Sequence, residues 1–339
     1  MEQMTEQITP VWAPLQIAVM TLLVAAFVPI THDNSSTPAR LQQDQTAPVA
    51  VAPDPTATLA LAQDQHHRLF LDIGIGGRGP FPFLVDTGSE TTIISQELAE
   101  QLSLAVAGQA QIMGISGPVE VETVGLHRVG IGRIRLAYLE APVLLESDIG
   151  ARGILGVNSL QGTRVIFDFA RDELQLSAAR ANVLEHDYDL VLEATKRQQR
   201  LIFTNARIDG IPVRVVVDTG TNMTIGNEAL RRRLAQSRPD SGRATLKDVL
   251  GADAPARVMS ANNLVISGLR MHNSVLAFAD APAFEMLGLE NRPALLLGMN
   301  HLRRFDRVSI DFVHNEVAFD FPNEREQAAA IVPNAGNLR

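Results

Sequence analysis

The 339-residue chain contains no cysteine, which excludes disulfide bonds, thiolate nucleophiles and metal sites built on sulfur. Cysteine-free proteins occur on both sides of a membrane, so this absence leaves the redox compartment open. Positive charge is also scarce, with 29 Lys and Arg against 38 Asp and Glu and a net charge of −9. Because no basic surface is available to neutralise phosphates, we expect no nucleic-acid partner.

A long apolar run lies near the N-terminus, from Ile17 to Ile30, broken only by Thr21 and Pro29. Counted from Val11, it approaches the ~20 residues that span a bilayer, while its uninterrupted part is closer to the apolar region of a signal peptide. No Lys or Arg precedes the run, so its orientation is weakly specified. Residues 1–30 are therefore predicted to be a signal peptide or a membrane anchor.

The next stretch, residues 31–65, is rich in Pro, Ala, Gln and Asp and has few large apolar side chains. Such a composition does not support a core, so this stretch is predicted to be a disordered linker. Residues 323–339 are predicted to be a flexible tail.

One pattern occurs twice, at an offset of 132 residues (218 − 86). It reads FLVDTGS at residues 83–89 and VVVDTGT at residues 215–221. In each copy an apolar run ends in Asp-Thr-Gly, which is typical of a buried strand that turns sharply at a glycine. The repeat predicts an equivalent strand and loop in each half of the chain.

The copies match again about seventy residues further on, as GILGVNSL at 153–160 and LLLGMNHL at 295–302. Each copy closes with two alternating strands around a polar turn, and segments of period 2 separated by glycines lie between these landmarks. The pattern predicts an all-β, bilobal fold with short helices. We place the N-terminal lobe at residues 66–182 and the C-terminal lobe at residues 183–322.

Two Asp-Thr-Gly-Ser/Thr motifs, each followed by an apolar-apolar-Gly element, resemble the retropepsin-like aspartic proteases over nearly all of residues 67–321. The resemblance implies two lobes about a pseudo-two-fold axis, each contributing one Asp to a shared site. Retroviral members complete that site by dimerisation. This chain carries both halves, so we expect a monomer.

The resemblance makes Asp86 and Asp218 the catalytic pair. Two carboxyl groups within hydrogen-bonding distance do not readily ionise together, so they share a proton. The ionised member takes a proton from a water molecule while the protonated member polarises the scissile carbonyl. The expected reaction is hydrolysis of a peptide bond without a covalent intermediate.

By the same resemblance, the neighbours of each Asp support the dyad. The glycines bring backbone N–H groups to the carboxylates, the next hydroxyls orient the outer carboxylate oxygens, and the threonines form hydrogen bonds across the lobe junction. These residues are Gly88 and Gly220, Ser89 and Thr221, and Thr87 and Thr219, respectively.

Family members cover the substrate with a glycine-rich hairpin, the flap. The first copy offers IMGISG at 112–117, in which Met113, Gly114, Ile115 and Gly117 are the expected substrate-binding residues. The second copy offers only the stretch 250–252 with one glycine, which reads equally well as an ordinary hairpin turn.

No metal or organic cofactor is expected. Residues 74–79 match the G-x-G-x-x-G pattern of dinucleotide sites, but they run into a strand and provide no helix N-terminus for a pyrophosphate. The histidines show no metal-ligand spacing.

Three functions stay open at this point. The first is an aspartic endopeptidase that cuts an extended protein or peptide, and the intact Asp, Thr and Gly of both copies favour it. The second is a non-catalytic peptide-binding or scaffold protein that retains the fold, and the third is a precursor that cuts its own linker. The N-terminal segment and the resemblance together predict a catalytic part outside the cytoplasm, membrane-anchored or secreted to the periplasm.

Overall fold

A computed structural model describes residues 18–20, 57–60, 62–63, 68–115, 117–178, 188–197, 200–322 and 331–333. Most of these residues lie in strands. Up to the middle of the chain the strands are β1 (Ala18–Met20), β2 (Ala57–Ala60), β3 (Ala62–Gln63), β4 (Leu69–Ile75), β5 (Arg78–Val85), β6 (Ile93–Ser95), β7 (Val106–Gly114), β8 (Gly117–Ile131), β9 (Ile134–Leu144), β10 (Gly153–Leu155), β11 (Thr163–Asp168) and β12 (Glu173–Ala178).

The second half of the chain repeats this layout. Its strands are β13 (Leu190–Glu193), β14 (Thr195–Arg197), β15 (Arg200–Ile208), β16 (Ile211–Val217), β17 (Ile225–Gly226), β18 (Gly242–Lys247), β19 (Asp253–Ile266), β20 (Leu269–Phe278), β21 (Ala294–Leu297), β22 (Arg307–Asp311), β23 (Glu316–Asp320) and β24 (Ile331–Pro333).

The helices within these ranges are short. They are α1 (Gln96–Leu102), α2 (Glu146–Ile149), α3 (Glu228–Leu234), α4 (Pro282–Met286), α5 (Met299–Leu302) and a 3-10 turn at Val157–Ser159. The two helices that follow the Asp-Thr-Gly loops begin at equivalent caps, since Ser95 accepts from the Leu98 N–H at 3.1 Å and Asn227 from the Leu230 N–H at 2.9 Å.

Each lobe is built on one sheet. In the N-terminal lobe the strand order is β3-β4-β5-β10-β6-β9-β8-β7, and in the C-terminal lobe the path is β1-β18-β19-β15-β16-β21-β17-β20-β24, with β14 beside β15. The strand before each Asp-Thr-Gly loop pairs in parallel with the strand of the later apolar-Gly element, β5 with β10 and β16 with β21. The bilobal β architecture predicted from the repeat is therefore present.

The lobes are joined by a third sheet of order β13-β23-β22-β11-β12-β2. Its central pair, β11 and β22, comes from the closing strands of the two copies and runs antiparallel, with Ile166 opposite Ser309. One cross-lobe ion pair is buried there, between Arg164 Nη2 and Asp311 Oδ2 at 2.9 Å. This sheet fixes the two lobes relative to each other.

Short stretches of the predicted linker and of the predicted tail form strands. In the linker, Ala57–Ala60 pairs with β12 and Ala62–Gln63 pairs with β4, while in the tail Ile331–Pro333 pairs with β20. A sheet edge offers unpaired N–H and C=O groups that bond any extended backbone, whatever its composition. Composition alone therefore does not reveal these strands.

The predicted membrane segment, residues 1–30, lies outside the described residues except for Ala18–Met20, which pairs in parallel with Thr245–Lys247. Over the ranges that the structure covers, no helix has the length and apolar character needed to cross a bilayer.

The apolar-Gly elements pack directly against the Asp-Thr-Gly loops, and Gly156 shows how closely. A Cβ at Gly156 would lie 2.3 Å from the Thr91 carbonyl oxygen. Its backbone is ordinary extended chain, with φ −88° and ψ 173°, so the glycine is required by space and not by conformation.

We therefore expect Gly156→Ala to destabilise the protein by about 1–3 kcal/mol, because the backbone of Thr91 must move to accept the methyl group. Chemical denaturation of the purified protein measures this. The control is Gly242→Ala, where a Cβ would meet nothing closer than Val258 at 3.7 Å. Equal unfolding midpoints for the two variants would contradict the tight packing.

Candidate active site

Asp86 and Asp218 lie at equivalent points, each directly after the strand that precedes its loop. The Asp86 N–H donates to the Leu155 carbonyl at 3.1 Å, and the Asp218 N–H donates to the Leu297 carbonyl at 3.1 Å. These bonds extend the parallel pairing of β5 with β10 and of β16 with β21 by one residue. The central strands of each lobe thus fix the backbone of its Asp.

The two carboxyl groups are neighbours. A Cβ at Gly88 would lie 2.5 Å from Asp218 Oδ1, and a Cβ at Gly220 would lie 2.2 Å from Asp86 Cγ, so each carboxyl packs against the glycine of the opposite lobe. Each glycine also donates its N–H to the Asp of its own loop, at 2.7 Å for Asp86 and 3.0 Å for Asp218. Only a residue without a side chain fits between the carboxyls in this way.

The threonines of the two loops join the lobes. The Thr87 N–H donates to Thr219 Oγ1 and the Thr219 N–H donates to Thr87 Oγ1, both at 3.0 Å. Each hydroxyl in turn donates to a carbonyl of the opposite strand, Thr87 to Val217 at 3.4 Å and Thr219 to Val85 at 3.2 Å. Four reciprocal hydrogen bonds therefore lock the loops together beside the carboxyls.

Both halves of the chain match protein-family models. Residues 71–162 match the gag-polyprotein aspartyl protease model, and residues 204–301 match the model described as aspartyl protease. Each match contains one of the two Asp-Thr-Gly loops. The chain belongs to the retropepsin-like aspartyl proteases.

Both matches support a peptidase function for the chain. A search of curated proteins found no significant match.

Burial dominates the electrostatics of the dyad. Asp86 is 0% and Asp218 4% exposed. Burial, and then the charge of Asp218, hold the pKa of Asp86 well above its ordinary value. Burial likewise raises the pKa of Asp218 to about 6, although Arg200 opposes the rise. The two carboxyls therefore titrate as a pair, which keeps one proton to a higher pH than an isolated carboxyl would.

Arg200 is a part of this site that the sequence analysis missed. Its side chain is 1% exposed and crosses from the C-terminal lobe to the Asp86 loop, where Nε donates to the Gly88 carbonyl at 3.0 Å. Its Nη1 lies 3.8 Å from Glu90 Oε1. The positive charge of Arg200 lowers the pKa of both dyad carboxyls against the effect of burial.

A signal for Arg200 was present in the repeat. Arg68 and Arg200 each stand 18 residues before their Asp (86 − 68 and 218 − 200). The two arginines hold equivalent positions in the repeat, but their contacts differ. Arg68 donates to the carbonyls of Ile149 and Gly150 in its own lobe, and Arg200 donates across to the other lobe. The offset identifies the pair, but not which arginine reaches the dyad.

Two asparagines that the sequence analysis did not single out bind the segments that follow the Asp-Thr-Gly loops. Asn158 Oδ1 accepts hydrogen bonds from the N–H and the hydroxyl of Thr92, both at 2.9 Å. Asn300 Oδ1 does the same for Thr224, at 2.8 and 3.0 Å. The two asparagines occupy the same place in the repeated apolar-Gly element, so their equivalence was visible in the sequence although their role was not.

The prediction for Ser89 and Thr221 needs correction. Their hydroxyls do not orient the carboxylates, because Ser89 donates to the Thr91 carbonyl at 2.7 Å and Thr221 to the Met223 carbonyl at 2.9 Å. A hydroxyl has one proton, and here it closes the loop locally. Asp86 Oδ2 meets no hydrogen-bond donor among the described residues.

Hairpins occur at both expected flap positions. The first, β7–β8, pairs Met113 with Pro118 and Gly114 with Gly117 at its tip. Gly114 is buried, and Met113, Ile115 and Gly117 are half-buried. The second hairpin, β18–β19, closes through a five-residue turn at 248–252. Both copies therefore carry a hairpin, and the two tips differ in length.

Among the described residues, no group of three or more His, Asp or Glu side chains is arranged to hold a metal ion.

Arg200→Gln should shift the acid limb of the pH–activity profile to higher pH. The guanidinium favours the ionised carboxylate, so its loss raises the pKa of the group that must be ionised. A pH series of kcat/KM on a cleaved peptide measures this. Arg68→Gln is the matched control, and equal profiles for the two variants would refute the electrostatic role of Arg200.

The raised pKa values also predict how stability depends on pH. A carboxyl whose pKa is higher in the folded than in the unfolded state stabilises the fold at low pH, and that stability is lost as pH rises through the folded pKa, about 6 for Asp218. Asp218→Asn removes this loss. We expect the Tm of the variant minus that of the wild type to be larger at about pH 8 than at about pH 4.

Thermal denaturation at the two pH values tests this, with the exposed Asp253→Asn as control. A Tm difference for Asp218→Asn that does not grow with pH would count against the burial of an ionising group.

Proposed function

We propose that the protein is an aspartic endopeptidase that hydrolyses peptide bonds of an extended protein substrate. The observation that carries the proposal is the contact between the two buried carboxyls of Asp86 and Asp218, each packed against the glycine of the opposite loop. Such a pair holds one proton over a range of pH and therefore combines an acid and a base in one site.

In the proposed reaction the pair of Asp86 and Asp218 holds one proton, and its ionised member takes a proton from an attacking water molecule. The protonated member donates its proton to the scissile carbonyl oxygen as the tetrahedral intermediate forms. The intermediate collapses when a proton passes to the leaving amine. The C–N bond breaks, and no bond to the protein forms at any stage.

The arrangement of the hairpins supports an extended substrate. The β7–β8 hairpin of one lobe and the β18–β19 hairpin of the other meet at their tips, where the Ile115 N–H donates to Asp248 at 2.8 Å. A peptide between the hairpins and the dyad would lie as a strand, with alternate side chains directed to opposite sides. The proposed flap residues Met113, Gly114, Ile115 and Gly117 would cover it.

Because one chain supplies both aspartates, the proposed enzyme acts as a monomer. The apolar run in residues 1–30 suggests action at a membrane, with the catalytic part on the periplasmic or extracellular side.

The test is incubation of the purified full-length protein with a diverse peptide library over acidic to neutral pH, with products identified by mass spectrometry. We expect cleavage at defined sites by the wild type and by Asp253→Asn. Asp86→Asn and Asp218→Asn should each lose at least about a thousandfold in kcat while remaining folded, because each removes one half of the acid–base pair.

Binding of library peptides without cleavage by any variant would favour the non-catalytic peptide-binding alternative. Full activity of either dyad variant would refute the mechanism. Intact N-termini in both wild-type and Asp86→Asn protein made in cells would dismiss processing of its own linker.

A further inference from the structure

Val249, in the turn between β18 and β19, lies inside an apolar cluster of the other lobe. Val249 is 2% exposed. We call this apolar cluster the cleft-side cluster of the N-terminal lobe. Its other members are Leu84, Ile93, Ile112, Leu144, Ile149, Ala151 and Ile154, all at most 7% exposed.

The cleft-side cluster lies on the same face of the sheet as the Asp86 carboxyl. Successive side chains of a strand point to opposite faces, so Leu84 shares a face with Asp86 while Val85 points away. Consistent with this, Val85 packs in the main core and Leu84 in the cleft-side cluster. A side chain of a peptide bound at the dyad would therefore meet this cluster first.

Asp248 holds the turn in place. Its Oδ1 accepts from the Leu250 N–H at 3.0 Å and the Ala252 N–H at 2.8 Å, which closes the turn on itself. Its Oδ2 accepts from the Ile115 N–H at 2.8 Å, which ties the turn to the tip of the opposite hairpin. One buried carboxylate thus shapes the turn with one oxygen and latches it with the other.

The contact is too close to admit further atoms. A Cβ at Gly114 would lie 2.5 Å from Leu250 Cδ1, and one at Gly251 would lie 2.7 Å from Asp148 Oδ1. Asp86 and Asp218 are almost wholly buried in the same arrangement. Another side chain therefore enters the cleft-side cluster only after these tips separate.

Over the ranges that the structure describes, the C-terminal lobe shows no equivalent arrangement. Its counterpart cluster contains Val216, the residue two before Asp218, and is filled by Phe284, Leu287 and Leu289 of its own lobe. Within the described residues, no side chain of the N-terminal lobe is buried in that cluster. The occupied cluster is thus specific to the Asp86 side.

We propose that Val249 occupies a substrate side-chain pocket of the N-terminal lobe and leaves it when a peptide binds. The pocket, lined by aliphatic side chains, takes an aliphatic substrate residue in its place. Release of Val249 requires the hydrogen bond from Ile115 to Asp248 to break, so Asp248 is the latch. This inference rests on the proposed peptidase function.

The first test uses the absence of native cysteine, which makes any introduced thiol unique. Val249→Cys, the exposed control Val275→Cys and the core control Val129→Cys are labelled with a thiol reagent, each with Asp248 intact and with Asp248→Asn. The amide of Asn keeps one oxygen for the turn but places an N–H₂ group against the Ile115 N–H.

We expect Asp248→Asn to speed labelling at position 249 by about tenfold, the effect of losing one hydrogen bond to a charged group, and to leave positions 275 and 129 unchanged. An unchanged rate at 249 would overturn the latch. Acceleration at 129 as well would also overturn it, because it would report general loosening of the lobe.

The second test measures turnover of a peptide that the wild type cleaves. Val249→Ala empties part of the pocket, so KM should fall several-fold with kcat little changed, because the substrate no longer competes with a resident side chain. A higher KM would make Val249 a wall of the site and overturn the proposal. Val275→Ala is the control.

Failure of the proposed function has a different signature. Absence of Asp86-dependent cleavage in every variant would overturn the peptidase function and with it the pocket as a substrate subsite. The thiol rates would still decide whether Asp248 latches Val249 in place.

Discussion

The structure depends on two carboxyl groups, of Asp86 and Asp218, that are buried side by side and whose charge must be compensated. Burial and mutual repulsion both oppose ionisation, so the pair is stable only when it holds a proton and when its carboxylate form is partly compensated. The glycine N–H groups and the buried Arg200 provide that compensation. The same balance suits the dyad for acid–base chemistry, because one carboxyl ionises well before the other.

Keeping the carboxyls together requires that the lobes do not move apart at this point. The reciprocal bonds of Thr87 and Thr219 fix the loops, and the shared sheet of β11 and β22 fixes the lobes behind them. These parts obey the pseudo-two-fold symmetry of the repeat. The tips of the hairpins depart from it, since Asp248 and Val249 of one lobe reach into the other. The contacts that join the lobes are symmetric, and the part proposed to move is not.

Predictions from the sequence agree with the structure where the feature depends on residues close together in the chain, and they fail where it depends on residues far apart or on a choice between hydrogen-bond partners. The strands before Asp86 and Asp218 depend on local periodicity, and they occur where the repeat predicts them. The predicted role of the Ser89 and Thr221 hydroxyls was wrong, because each hydroxyl donates its proton to a carbonyl two residues further along its own loop. The strand at Ala57–Ala60 was missed because it forms on a sheet edge contributed by residues far along the chain.

The sequence by itself determined that the chain has two equivalent β lobes, each ending a buried strand in Asp-Thr-Gly, because alternation and glycine act over a few residues and the repeat makes both visible. Only the tertiary structure decided which side chains cross between the lobes. Arg68 and Arg200 hold the same place in the repeat, yet Arg200 reaches the dyad loop and Arg68 bonds within its own lobe. Such contacts depend on how the two lobes dock, and no local pattern encodes the docking.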